Sequence, residues 1–264
     1  MSVLSRLVPV ATSAYALQTL LALIFVPQQN ETYYDLGGAC GFLSTAFISP
    51  VLPCTQKQLL VSTALGIWCV RLGSFLAHRA IKAGGDSRFD EVKKDPKRFT
   101  YFWMAQATWV FLVGLPVYMV NTLPPPLHPT LGIRDYAAFG LFAASFLFEV
   151  TADRQKSAWR RAKQAKQHEE KFITSGLWSI SRHPNYVGEV GIWTGIWALA
   201  SGSLPLGSIA VTAAVSPLFT WFLLRKVSGV PPLEKGGDKK FGGDPKWEEY
   251  KRNVPVFWPW GSKN

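Results

Sequence analysis

Residues 175–197 read SGLWSISRHPNYVGEVGIWTGIW. The stretch opens on a turn-forming Ser-Gly. It gathers Arg182, His183, Asn185, Tyr186 and Glu189 into eight residues, then runs on without a Lys, Arg or Asp. Ionisable groups at the mouth of an apolar span are costly to place there and mark functional sites by default. The segment therefore predicts a membrane bundle of helices with a ligand site at its cytosolic end.

Working outward, apolar runs of membrane length recur along the 264 residues, which are 48% hydrophobic with 11 Trp and 17 Phe. Seven spans can be drawn: 4–26, 37–52, 59–80, 99–120, 133–152, 187–200 and 206–224. The predicted fold class is thus all-α, a multi-pass transmembrane helical bundle of about seven spans. The first run is too long for a signal peptide and lacks a small-residue cleavage pattern, so it reads as a span that stays. The second, rich in Gly and Ser, is short of the ~20 apolar residues a crossing needs. The last two, joined by a Ser-Gly-Ser-Leu-Pro turn, read as a helical hairpin. Residues 1–58 are expected to form N-terminal transmembrane helices, and residues 59–264 a second domain whose C-terminal half carries the site.

The formal net charge of +11 is not spread evenly. Segment 79–98 holds seven Lys or Arg, segment 154–182 eight, and the tail from Arg225 nine, while the loop 122–130 and the turn 201–205 hold none. Pairs of spans separate the basic segments, so all can lie on the cytosolic side, with the C-terminus. This distribution points to a membrane and away from a nucleic-acid partner. On a seven-span path the N-terminus lies outside, and the sequon at Asn30 faces the cytosol unused. Trp and basic residues mix in the ending WEEYKRNVPVFWPW, which suits the headgroup level. Cys40, Cys54 and Cys69 form no CxxC pair and read as buried small hydrophobes. No His, Cys or carboxylate set has metal-ligand spacing, so no metal is expected. Neither a phosphate-cradling Gly loop nor a nucleophile elbow occurs.

Chemistry concentrates elsewhere. In FEVTADRQKSAWRRAKQ, Glu149, Asp153, Lys156 and Arg160 are spaced four, three and four apart, so they share one helix face. A salt-bridged helix end is the plainer reading, but Glu149 lies deep in its apolar run. Pro184 should start a helix, placing Arg182 and His183 at its N-terminus with Asn185 and Tyr186 in the first turn. Helix N-termini favour anions, and Arg and His add donors suited to phosphate. Asn185 offers a donor and an acceptor to a carboxamide or ribose. Together these suit a phosphate-bearing cofactor. Arg71 lies too far inside its span for easy snorkelling and predicts a buried anionic partner. Arg225 closes the last span, and Glu234 reads as a surface charge.

These residues also carry a resemblance. SGLWSISRHPNYVGE, FEVTADRQK upstream, FLLRKVSGVPPLEK and YKRNVPVFWPW downstream, and RLGSFLAHRAIKAGGDSRFDE resemble the steroid 5-alpha-reductase C-terminal-like membrane proteins, in order over roughly residues 60–260. The resemblance is to a subfamily related to sterol reductases. It implies a helical enzyme of lipid metabolism in the endoplasmic reticulum membrane that binds NADPH in its cytosolic half. Glu149, Asp153, Arg160, Asn185 and Arg225 match cofactor-contacting positions, and so does Arg71. Arg182, His183 and Tyr186 belong to the subfamily's signature, and Lys156 and Glu189 lie within the same motifs. Where those reductases place a catalytic Tyr this chain has Trp68, which cannot donate a proton in that way, and no Glu matches their other catalytic carboxylate. His78 and Tyr101 are the remaining candidate acids.

The expectation is therefore a membrane-embedded NADPH-dependent reductase of a carbon–carbon double bond in a lipid, sterol or isoprenoid. Hydride would come from the nicotinamide and a proton from an acid. Two rivals stand beside it. One is an isoprenylcysteine-type membrane methyltransferase using S-adenosylmethionine, which shares an Arg-His-Pro-x-Tyr stretch. The other is a non-catalytic lipid-binding protein on the same bundle.

Overall fold

A computed structural model describes residues 3–83, 89–204 and 208–261. Every regular element among them is helical: α1 (Val3–Phe25), α2 (Tyr34–Ile48), α3 (Gln56–Ala83), α4 (Pro96–Asn121), α5 (Ile133–Gln164), α6 (Pro184–Ser201), α7 (Ser208–Ala213), α8 (Val215–Phe222), α9 (Val230–Phe241) and α10 (Pro245–Asn253). The 84–88 part of the third-span motif, and residues 205–207 where the last span was drawn to begin, lie outside the described residues.

Five helical stretches are long and apolar enough to cross a membrane: Ser5–Phe25, Gln56–His78, Pro96–Asn121, Ile133–Gln164 and Ala210–Phe241. That is the pattern of an integral membrane protein. The two other drawn spans form helices outside this group. The 15 residues of α2 reach only about 22 Å, against a hydrocarbon core of about 30 Å. The 18 residues of α6 reach about 27 Å and include Asn185 and Glu189. α5 continues past Ala152 to Gln164 because no Gly or Pro breaks it and nine of the twelve residues 153–164 are Ala, Lys, Arg or Gln, all good helix formers.

The chain forms two compact units. Unit 1 is Met1–Tyr136 with Ile196–Ser216, and unit 2 is Ala137–Gly195 with Pro217–Asn264. The boundary drawn at residue 58 falls inside unit 1, where α1 and α2 pack with α3 and α4.

In unit 1 the glycines that made α2 look weak as a span seat it instead. A Cβ on Gly37 would lie 2.9 Å from Leu21 and Trp103, and one on Gly41 3.0 Å from Gln18 and Val110. Small residues let helix backbones approach this closely. Buried polar groups are then satisfied internally. Gln18 donates to Gly37 O (2.8 Å), and Gln106 donates to Gln18 Oε1 (3.0 Å) and Tyr34 O (2.9 Å). Near the start of α3, Gln58 donates to Asn121 O (3.0 Å), while Asn121 donates to Ser49 (2.9 Å) and Ser62 (2.9 Å). Lys57 and Asp135 form a buried ion pair at 2.7 Å.

In unit 2, α6 lies against α5 along Gly188, Gly191 and Gly195. Their added Cβ atoms would meet Glu149, Ser145 and Phe142 at 2.7, 2.3 and 2.6 Å. This stripe fixes the depth at which Glu149 faces α6.

Candidate functional site

Pro184 is the first residue of α6. A proline there forfeits no helical hydrogen bond, since first-turn amides are unpaired anyway. His183 O accepts from the amides of Tyr186 (3.1 Å) and Val187 (3.3 Å), as expected of a residue just outside the helix. The approach is tied down from the tail. Arg182 N donates to Pro255 O (2.9 Å), Ser181 Oγ donates to Phe257 O, and His183 N donates to Ser181 Oγ (3.2 Å). The ending of the chain is thus not simply a headgroup-level segment: Val254, Val256 and Phe257 are buried, while Trp260 stays exposed.

Glu234, on α9, is the residue sequence reasoning missed. It is no surface charge. Its Oε2 lies 2.8 Å from Arg182 Nη1 and its Oε1 2.8 Å from His183 Nε2. Both partners are almost fully buried, and the carboxylate itself is 20% exposed. Burial holds the His183 pKa below its ordinary value; Glu234 opposes that shift, and the charges of Lys156 and Arg182 add to it. A neutral His183 therefore donates from Nε2 to Glu234, which leaves Nδ1 as its acceptor nitrogen. The Tyr186 ring stacks on the His183 ring, 5.5 Å between centroids and 5° from parallel. One signal in the sequence could have pointed to Glu234: Pro231-Pro232 predicts a helix start, and Glu234 follows in that same motif.

α5 supplies the next group. Lys156 Nζ sits 4.2 Å over the Trp178 ring, a cation–π contact. Trp178 Nε1 donates to Ala152 O (3.0 Å), Leu177 N donates to Gln155 Oε1 (2.9 Å), and Tyr250 OH donates to Trp178 O (2.6 Å). The turn opens on Gly176 at φ +63°, a left-handed conformation that suits glycine. Glu149 and Asp153 are buried on α5, whereas Arg160 is exposed. Glu189 is buried on α6, its Oε1 accepting from Trp193 Nε1 at 2.9 Å.

Arg225 lies in a π-helical turn, Leu223–Val227, closed by Ser228 N donating to Leu223 O at 2.8 Å. Such turns recur at functional sites. Arg225 is half-buried, and no carboxylate pairs with it among the described residues. Leu224 beside it packs in the same apolar cluster as Tyr186, Val230 and Phe257. Asn185 is half-buried, and its carboxamide makes no hydrogen bond among the described residues.

The structure thus gathers Lys156, Arg182, His183, Tyr186 and Glu234, and sets Glu149 against Gly188. Arg225 joins this group only through its neighbour Leu224. The remaining candidates belong to unit 1. Arg71 is half-buried, its guanidinium carbon 5.4 Å from the Phe75 ring centre. His78 is exposed and Tyr101 is 70% exposed, so neither sits in a walled site. Trp68 is fully buried, edge-on to Phe42 at 4.9 Å. Of the cysteines only Cys69 is buried; Cys40 is exposed. Among the described residues no three potential metal ligands lie together.

Three cations, Lys156, Arg182 and Arg225, stand in one unit with an unbonded amide at Asn185, a neutral imidazole and a helix N-terminus. Fold and site together define a helical membrane protein with a cluster of ionisable residues at the start of one helix. The chain matches the family model described as Protein of unknown function (DUF1295) over residues 23–254, and it belongs to that family. No curated protein and no solved structure matches it.

Proposed function

We propose that the chain is a membrane-embedded, NADPH-dependent reductase of a carbon–carbon double bond in a lipid, sterol or isoprenoid, related to the steroid 5-alpha-reductase-like proteins. The observation that carries this reading is the buried Arg182–Glu234–His183 cluster at the start of α6, with Lys156 alongside and the half-buried Asn185 and Arg225 in the same unit. When bound, NADPH supplies the hydride. The chain's own residues do the holding. Arg182, Lys156 and Arg225 attract phosphate charge, Asn185 pairs with an amide or ribose, and the Gly188–Glu149 contact fixes the depth of Glu149. Positioning of this kind is itself catalytic. The basic segments suggest that this end and the C-terminus lie on the cytosolic side. For a eukaryotic chain the resemblance points to the endoplasmic reticulum membrane.

The test is titration of the purified protein with NADPH and, separately, S-adenosylmethionine. NADPH should bind, and Asn185→Ala and Arg225→Ala should each weaken it about tenfold or more while helix content and yield stay at the parent's level. Tight binding of S-adenosylmethionine alone would replace the reductase with a methyltransferase. If both variants bind NADPH like the parent, the assigned pocket is wrong.

A further inference from the structure

The last membrane-length stretch, Ala210–Phe241, ends in α9, and the two faces of that helix differ. Val230, Glu234, Gly237, Asp238 and Phe241 are spaced four, three, one and three apart, so they lie on one face. Each is engaged within unit 2. Val230 is buried with Val256 and Phe257. Glu234 meets Arg182 and His183. A Cβ on Gly237 would lie 2.7 Å from the Trp247 ring, and Phe241 packs on Phe172 and Trp247. Asp238 Oδ1 accepts from Trp247 Nε1 and from Lys251 Nζ, both at 2.8 Å.

The opposite face holds Pro232, Leu233, Lys235, Gly236, Lys239 and Lys240, all exposed. Lys235 and Lys239 make no ion pair among the described residues, and Lys240 Nζ has the Phe241 ring centre at 5.3 Å. A Cβ on Gly236 would meet no atom within 4 Å. Both acids of α9 are therefore matched by cations of the same unit, while its three lysines share the outer face.

Position and charge together select a partner for that face. Only Ser228 and Gly229 separate α9 from Val227, so it starts within about 10 Å of that residue. The headgroup layer on each side of the hydrocarbon core is about 5–8 Å deep. Phe222, Val227 and Leu233, each about half exposed, carry apolar surface from the span onto α9, and Lys226 between them is exposed as well. Lysines clustered beside a span attract anionic lipid.

We propose that the outer face of α9 docks on anionic phospholipid headgroups, with Lys235, Lys239 and Lys240 against their negative charge and Leu233 turned toward the acyl chains. The proposal needs only membrane insertion and the packing of unit 2. It stands whether or not that unit takes a nucleotide.

The experiment reconstitutes the purified full chain in nanodiscs of mixed phosphatidylcholine and phosphatidylserine, and measures with spin-labelled lipids how much of each headgroup the protein holds. Phosphatidylserine should be preferred at least about fivefold at low salt, the effect of one lysine at an anionic surface, and the preference should shrink toward parity in 1 M salt as screening shortens to about 3 Å. The combined variant Lys235→Gln, Lys239→Gln and Lys240→Gln alters only exposed side chains, and its preference should fall to about one-fifth of the parent's or lower. The same three positions changed to Arg should keep the parent's preference. No preference in the parent, a preference that survives 1 M salt, a Gln variant that matches the parent or an Arg variant that loses the preference each overturns the proposal.

Discussion

The two units bury polar groups in opposite ways. In unit 1 they are mostly neutral amides and hydroxyls that satisfy one another: Gln18 with Gln106, and Gln58 and Asn121 with Ser49 and Ser62. Two buried carboxylates are ion-paired among them, Asp135 with Lys57 and Glu31 with the less buried Lys93. In unit 2 most of the buried polar groups are ionisable, Glu149, Asp153, Arg182, His183 and Glu189, beside the hydroxyls of Ser181 and Thr220. Neutral lattices rigidify a bundle at modest cost, whereas buried charges are strongly unfavourable unless paired. The contrast separates architecture from chemistry. Unit 1's polar residues hold helices in register, and unit 2's are the ones proposed above to meet a charged ligand.

The contrast breaks most readily at Lys57. Lys57→Met would leave Asp135 buried without its partner and should lower unfolding stability by about 3–5 kcal/mol, with nucleotide affinity unchanged in the surviving folded protein. Thermal unfolding in micelles checks this, and a loss under about 1 kcal/mol would make the pair incidental. Gly188→Ala should do less to stability, roughly 1–3 kcal/mol, but should also weaken NADPH binding, since the new Cβ would lie 2.7 Å from Glu149 Cβ and 2.9 Å from its backbone nitrogen. Stability loss with unaltered binding would detach Glu149 from the site.

Glu234→Gln sharpens the comparison. It removes the Glu234 carboxylate from the buried Arg182, a loss of about 1–3 kcal/mol. An anionic ligand beside Arg182 would restore part of that, so saturating NADPH should raise the variant's melting temperature by more than the parent's. Equal shifts would mean the ligand does not approach Arg182. The smallest effect concerns pH. His183 titrates below its ordinary value of 6.5 when folded. Above pH 6.5 both folded and unfolded forms are neutral and the residue contributes nothing pH-dependent. Below it the unfolded chain takes up a proton that the folded chain refuses, so stability falls as the pH drops from 6.5 toward the folded value. His183→Gln should remove that part of the acid slope in melting temperature; an unchanged slope would assign it to other groups.

Much of this was legible from local pattern. Hydropathy over about 20 residues marks α1, α3, α4 and α5, and Pro184 marks the start of α6, because both signals act within one helix. What escaped was long-range. Glu234 meets His183 across 51 residues and Ser181 meets Phe257 across 76, and no local spacing encodes either. The glycines of α2 read as weakness in a span because their value lies in Trp103, Gln106 and Val110, which belong to another helix. The exposure of Arg160 and Tyr101 was likewise invisible, since a shared helix face does not say which way that face turns.

The backbone tie between residues 181–182 and residues 255–257 sets a timetable for the living cell. Translation at about 5–20 residues per second places Phe257 roughly 4–15 s behind Ser181. Through that interval the start of α6 stays unlatched, its partners in the tail still unmade. The approach to α6 is therefore latched only once residues 255–257 have been made, and a chain stopped before residue 255 would lack that latch.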